Sequence, residues 1–276
     1  MATRPDDLLP VEICEVWAAN LEDEFAKIRD IIEHYPYVAV DVQHPGVVHR
    51  PLRPELLSKS LAEYNYATMK ANVDVLTVIQ IGLTFSDEHG TQPMLDESES
   101  DRRHPCAWQF NFRGFDPRTD IADANHIELL RRSGIDFTRH GAEGVDPRRF
   151  AELLLSSSVV PNMDLHWVTF DGRYGVGYLL KLLTAGSLPD MMSGFFDLVK
   201  IYFPSIYDIK HLMKFCGVTD SGLDDLANIL DVKSARICYK AGSDSFLTAL
   251  CFNKLRQGFF NGSAEKYGCE LFGLEQ

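Results

Sequence analysis

Apolar residues recur along this chain in blocks whose spacing changes from helical to strand-like and back. In "NLEDEFAKIRDIIEHYP", residues 20–36, Leu21, Phe25, Ile28, Ile31 and Ile32 fall on one face of a predicted helix. Asn20 is a candidate cap and Pro36 a stop. The run Tyr37-Val38-Ala39-Val40 then predicts a buried strand ending on Asp41. "LTVIQIGLTF", residues 76–85, predicts a second strand. "CAWQFNF", residues 106–112, sets Cys106, Trp108, Phe110 and Phe112 against Ala107, Gln109 and Asn111, the alternation of a strand. The segment between these two strands is polar and turn-rich. It predicts a long hairpin loop and antiparallel neighbours.

Past residue 120 the spacing becomes mostly helical. "NHIELLRRSG", "DPRRFAELLLSSS", "YGVGYLLKLL", "SGFFDLVKIYF", "IKHLMKFC", "LDDLANIL" and "DSFLTALCFNKLRQGFF" predict helices, and "HWVTF" at 166–170 a strand. A meander followed by alternating helix and strand predicts one mixed α/β domain over residues 11–276, behind a loose tail at 1–10. The paired arginines of "RRSG" and "DPRRF" read as a solvated face. Trp17, Trp108 and Trp167 read as core.

Composition narrows the functional classes. With 276 residues, 45% of them hydrophobic, the chain can bury a real core. No apolar run reaches the length of a signal peptide or a membrane span, which gives a soluble protein of the cytoplasm or nucleus as the expectation. Six cysteines lie far apart without a CxxC pair, so free buried thiols are expected rather than a zinc ribbon. A formal net charge of −13 is a poor footprint for wrapping nucleic acid over the whole surface, though it leaves room for RNA in one narrow channel.

A carboxylate at the tip of a buried strand is where metal-dependent nucleases commonly hold a cation. A second acid is often found two residues on, but here that position is Gln43. Several ordered blocks bear on the question: "EICEVWAANLEDEFAKIRDIIEHYPYVAVD", "NVDVLTVIQIGLTFSDEHG", "WQFNF", "HWVTFDGRYGVGYLLKLLT", "FPSIYDIKHLMKFC" and "AGSDSFLTALCFNKLR". Together, over residues 11–274, they resemble the Caf/Pop-type mRNA deadenylases, most closely the plant members. These are the nuclease subunits paired with Ccr-type enzymes in the eukaryotic Ccr–Not complex. The resemblance implies a ribonuclease H-like fold with an antiparallel meander plus parallel strands. It also implies DEDD-class 3′ exonuclease chemistry on poly(A) with two Mg²⁺ or Mn²⁺ ions. Expected partners are the large Not scaffold subunit, a Ccr-type nuclease and poly(A) RNA, with no membrane.

Carried over residue by residue, the resemblance is incomplete. The family's first strand ends Asp-Thr-Glu-Phe-Pro-Gly. The matching stretch here is Asp41-Val42-Gln43-His44-Pro45-Gly46. The third family acid falls on Gly175, in Asp171-Gly172-Arg173-Tyr174-Gly175-Val176-Gly177-Tyr178. The family's His-Gln-Ala-Gly-Ser-Asp falls on Tyr239-Lys240-Ala241-Gly242-Ser243-Asp244. Asp41 and Asp244 are therefore retained as catalytic and metal-binding acids, while Gln43, Gly175 and Tyr239 occupy altered positions. Glycine at 175 carries a further expectation of a positive φ, where aspartate would be strained.

These departures point toward a catalytically impaired relative. Two Mg²⁺ bring four positive charges, and two aspartates balance only half of them. A tyrosine near pKa 10 is a poor proton acceptor at neutral pH beside a histidine near 6.5. Asp171, one turn before Gly175, is a possible substitute acid, and His44 a possible ligand for a softer metal. Arg173 and Lys240 add positive charge and are candidate RNA contacts, set against the plainer reading that both face solvent. Glycines 172, 175 and 177 do not complete a dinucleotide fingerprint, since Leu180 holds its last place. Three functions stay open: a scaffold-binding interaction protein, a working deadenylase with an unusual metal site, and an RNA-binding module.

Overall fold

The computed structural model describes residues 11–51, 60–94, 104–218, 221–232 and 240–275. The tail at 1–10 and Tyr239 lie outside the described residues. Six strands form one sheet: β1 (Glu12–Val16), β2 (Tyr37–Gln43), β3 (Gln80–Ser86), β4 (Cys106–Asn111), β5 (His166–Thr169) and β6 (Ile206–Asp208). Their order is β1-β4-β3-β2-β5-β6. Strands β2, β3 and β4 form the antiparallel meander. The parallel pairs are β1 with β4, β2 with β5, and β5 with β6. This is the expected ribonuclease H-like mixed sheet.

The helices are α1 (Leu21–Ile31), α2 (Leu61–Val73), α3 (Ala124–Arg132), α4 (Phe137–Glu143), α5 (Pro147–Ser156), α6 (Arg173–Thr184), α7 (Met192–Tyr202), α8 (Ile209–Leu212), α9 (Leu223–Ile229) and α10 (Ala241–Phe259). Acidic caps start several of them. Asp123 accepts from the His126 N–H, Asp136 from Thr138 and Arg139, and Asp146 from Arg148 and Arg149. Asn20 does not cap α1 with its side chain. Its amide is taken by the Trp17 N–H and the Glu15 carbonyl, and so pins the β1–α1 corner.

Both faces of the sheet are covered. Val38, Val40, Ile81, Leu83, Phe85, Trp108, Phe110 and Trp167 face one core, with Phe25 of α1, Phe150 of α5 and Leu180 of α6. Ala39 and Val168 face the other, with Leu247, Cys251 and Leu255 of α10. Despite the clean alternation in β4, all six residues are buried. The polar face is dry because α10 lies on it and uses its hydrogen bonds. Trp108 and Trp167 are fully buried as expected, whereas Trp17 is half-buried beneath the Arg139 guanidinium, 4.0 Å from its ring.

The thiol expectation needs correction. Parallel pairing of β1 with β4 sets the Cα atoms of Cys14 and Cys106 6.6 Å apart, and the two form a disulfide. Cys216, Cys251 and Cys269 are free, and Cys238 lies outside the described residues.

One glycine sets how closely α10 approaches. Gly82 stands opposite Asp41 in the β2–β3 register. A methyl group on Gly82 would fall on the Ala241 carbonyl, at the very start of α10. Backbone cannot yield as a flexible side chain can. Gly82→Ala is therefore expected to destabilise the fold by about 1–3 kcal/mol, as overpacking does. Urea denaturation measures this, and an unchanged midpoint would show that α10 sits further from β3.

Candidate active site

Strand alternation decides which residues share a face. Asp41 and Gln43 lie two apart on β2 and point to the side covered by α10. The first turn of α10 carries Asp244 into the same space. The Gln43 Nε2 lies 3.0 Å from Asp41 Oδ2 and 3.4 Å from Asp244 Oδ2. A carboxylate accepts, so the amide presents its NH₂ to both acids. One neutral side chain thus bridges the two retained aspartates.

The start of α10 is held from outside the helix. Its N-cap residue, Lys240, makes no side-chain cap. Instead the Gly242 N–H donates to Gln109 Oε1 at 3.2 Å, and Ala241 N–H to Gln80 Oε1 at 3.5 Å. Gln80 donates to Asn111 at 2.7 Å. Glu15 of β1 then accepts from both Gln109 and Asn111 at 3.1 Å. Gln80, Gln109 and Asn111 are each about 1% exposed, and a buried amide of this kind must be paired. The relay explains why the polar side of β3 and β4 is buried, and it fixes the helix that carries Asp244. Sequence reasoning assigned none of these amides to the site. The available signal was a run of amide side chains inside otherwise apolar strands.

Gly175 is the third residue of α6, and no side chain reaches the site from there. Its φ is ordinary, contrary to the positive value expected from sequence. A Cβ at this position would lie 3.4 Å from Val42 Cγ2, an ordinary contact. Asp171 does stand at positive φ, 51°, just before α6. Its carboxylate lies 3.6 Å from the Arg173 guanidinium and 3.7 Å from Lys210 Nζ. Its N–H donates to Asp208. Asp171 is thus committed to a cationic cluster and does not replace the acid missing at 175.

Arg173 donates to the Phe272 carbonyl at 3.2 Å, so the C-terminal segment engages it. Lys240 sits at the α10 N-terminus, with its Nζ 4.0 Å from Glu15 and beside Gly134. His44 turns away from Asp41. Its ring stacks on Tyr174 and Tyr178, both at 5.2 Å, and its Nδ1 accepts from the Gly46 N–H. Burial lowers its pKa to about 4, and the stacking and the Gly46 contact make it a packed ring apart from the two aspartates. Gly172 and Gly177 serve close packing, against Thr169 and against Val73 and Met69.

Asp208 was not singled out from sequence. This buried carboxylate at the end of β6 accepts from the backbone N–H groups of Asp171, Gly172, Lys210 and Phe272. Burial pushes its pKa up to about 6 against the pull of these donors. It ties the starts of α6 and α8 to the C-terminal segment.

The donor set can be compared with what two divalent cations require. Hard cations take carboxylate oxygens. Here the described residues supply Asp41 and Asp244, an amide NH₂ between them, and no side chain at 175. Among the described residues no cluster of three or more His, Cys, Asp or Glu could hold a metal ion. A two-metal centre of the DEDD kind does not fit this set.

The sheet, with an aspartate at the tip of its central β2 and another on the helix across it, defines a ribonuclease H-like exonuclease fold. The model of the CAF1 family ribonucleases matches residues 16–150. A probable CCR4-associated factor 1 homolog 7 from Arabidopsis thaliana is 51% identical over 264 residues, covering 96% of this chain and 94% of the relative. The structure of S. pombe Pop2p with Mg²⁺ and Mn²⁺ bound superposes with a TM-score of 0.85 at 42% identity, over 95% of this chain and 99% of that one. A chain in the structure of the yeast NOT1 MIF4G domain co-crystallised with CAF1 gives a TM-score of 0.76 at 30% identity, over 99% of this chain and 100% of that one. The chain belongs to the CAF1 family of ribonucleases.

The tolerant contact at Gly175 makes a stability prediction. Aspartate at the third position of α6 adds a negative charge to a first turn that has none. That charge complements the helix dipole, worth about 0.3–1 kcal/mol, and glycine is the poorer helix former. Gly175→Asp is expected to melt at or slightly above the parent temperature. A drop of several degrees by calorimetry would show that the site cannot take the side chain.

Proposed function

We propose that this chain is a CAF1-family subunit that does not turn over poly(A), and that it acts in mRNA decay through its partners. One observation carries the reading: the Gln43 amide donates to both Asp41 and Asp244, in the space where the family places metal-binding carboxylates. An NH₂ group directed at two carboxylates offers a cation no oxygen and competes for theirs. Gly175 removes a further acid, and Tyr239 stands where the family has its general base. The role of Asp41 and Asp244 is then structural, a hydrogen-bonded remnant of a metal site. Mg²⁺ or Mn²⁺ serves the family, and this chain binds either weakly or not at all.

The test is tail shortening on labelled oligo(A) with Mg²⁺ and with Mn²⁺, against an intact family member. Activity at least 10²-fold below that control is expected, since losing one well-placed catalytic group commonly costs about that much. Turnover within about tenfold would favour the alternative, a working deadenylase with an unusual metal site. The repair follows from the same geometry. Gln43→Glu, Gly175→Asp and Tyr239→His together are expected to restore exonuclease activity. The single changes should do little, because such groups act as a unit. Mg²⁺ should raise the melting temperature of the triple variant and leave the parent unmoved. A folded triple variant that binds Mg²⁺ and spares oligo(A) would overturn the account.

The partner part of the proposal rests on the likeness to CAF1 co-crystallised with the NOT1 MIF4G domain. The framework that shapes the outer surface is kept while the centre is altered. We expect the chain to co-elute with a Not-type scaffold fragment on a sizing column at micromolar concentration. Clean separation would remove the scaffold role. Association with a Ccr-type nuclease and residence in cytoplasm and nucleus belong to the same proposal, as places where such a complex works.

A further inference from the structure

Cys14 and Cys106 form the one covalent crosslink among the described residues, across 92 positions of sequence. Cys216, Cys251 and Cys269 remain free thiols. A single bond in a chain that keeps other thiols free is not the framework of a disulfide-built domain. Its place in the fold points to another use. Strand β1 is five residues long, ends the sheet and pairs with β4 alone. Cys14, in its middle, is partly exposed, while Cys106 is fully buried. Cys14 is thus the partner through which thiol reagents enter.

The residue next to Cys14 connects this bond to the candidate site. Alternation turns Glu15 to the opposite face of the strand. There it accepts from Gln109 and Asn111 at 3.1 Å, and Gln109 accepts from the Gly242 N–H in the first turn of α10. The Lys240 Nζ, at the head of that helix, lies 4.0 Å from the same carboxylate. The crosslink therefore fixes the strand whose carboxylate anchors the amides beneath Asp244. Without it, β1 is held to β4 chiefly by a five-residue ladder and by Val16, the one residue of the strand that is fully buried.

We infer that the Cys14–Cys106 pair is a reversible redox clasp. Oxidised, it locks β1 and the Glu15 anchor under α10; reduced, it lets β1 open locally and loosens the helix start that carries Asp244. The oxidant is a low-molecular-weight disulfide of the glutathione class. The Cys14 thiolate attacks one of its sulfurs and expels one thiolate, leaving a mixed disulfide on Cys14. The Cys106 thiol gives up its proton, and its sulfur attacks Cys14 Sγ and expels the second thiolate. Two protein thiols and one small disulfide become one protein disulfide and two small thiols, and excess small thiol runs the exchange backwards. The clasp acts on the scaffold around the aspartates, so it stands whether or not the chain turns over poly(A).

The experiment equilibrates the parent chain in glutathione buffers that span the reduced-to-oxidised range of cells. Free thiols are trapped, and the linked Cys14–Cys106 peptide is quantified by mass spectrometry. The pair is expected to pass from mostly reduced to mostly oxidised within that range. A bond that stays closed throughout is a permanent staple, and a pair that never closes is no clasp; either result overturns the inference. Cys14→Ser should abolish the linked peptide, and Cys216→Ser should leave its glutathione dependence unchanged. Amide hydrogen exchange on the two forms of the parent then reads the coupling. Reduction is expected to speed exchange in β1 and at Gly242 to Asp244 by about tenfold or more, with the amides of α7 changed less than about twofold. Equal acceleration at the start of α10 and in α7 would mean general destabilisation, and a change confined to β1 would mean that Glu15 transmits nothing. Each outcome sinks the clasp. Glu15→Ala in the oxidised form should speed exchange at Gly242 with the disulfide intact, and full protection there would remove Glu15 as the link. Cys14→Ser should exchange like the reduced parent in every buffer; if it fails to fold, the parent's two forms still decide the matter. None of these readings involves cleavage of oligo(A), so the proposed silent centre stands or falls separately.

Discussion

The close seat of α10 on the sheet is the constraint from which the site follows. Gly82 has no side chain, so the helix start rests on β3 directly opposite Asp41. Its N-terminal amides cannot be capped by Lys240, and at this depth water cannot cap them. Gln80 and Gln109 therefore reach up from the sheet, and Glu15 anchors them from the edge strand. With the helix so fixed, Asp244 has one place to be, within reach of the Gln43 amide. A carboxylate pair in this chain is thus a property of backbone packing and does not depend on a cation to assemble it.

That geometry gives Gln43 its weight. Glutamate and glutamine have nearly the same shape and opposite hydrogen-bonding habits. A glutamate between two aspartates would crowd three negative charges and require cations to hold them. The amide removes the repulsion from within the protein. On the proposed reading, the position that as glutamate would call for metal is satisfied as glutamine by the two aspartates.

Much of this was legible in the sequence, and the failures have physical causes. The strand carrying Asp41, which runs on to Gln43, and the antiparallel β3–β4 pair followed from periodicity alone. The altered positions at Gln43 and Gly175 came from a resemblance that the fold upholds. The five-residue β1 and three-residue β6 are too short to show a period; β1 covers the β4 edge of the meander, and β6 extends the sheet beyond β5. The burial of the amide face of β4 was not legible, because alternation marks polarity, whereas burial depends on what lies above. The capping role of Asn20 failed because the chain corner claimed its amide first. Asp208 was missed because three of its four donors come from two distant segments, and only Lys210 is local.

The ordinary backbone at Gly175 has a consequence for descent. A lost catalytic side chain often leaves a scar, a collapsed cavity or a strained turn that blocks return. Here the helix is regular, a Cβ at 175 would make only an ordinary contact with Val42, and Gln43 already points where a glutamate would. Glutamine and glutamate codons differ by one base, as do tyrosine and histidine codons. So do glycine and aspartate codons when the third base is a pyrimidine. With a pyrimidine in that third base, a lineage carrying this chain stands three point mutations from the family's acids and base, and at positions 43 and 175 the backbone needs no rebuilding.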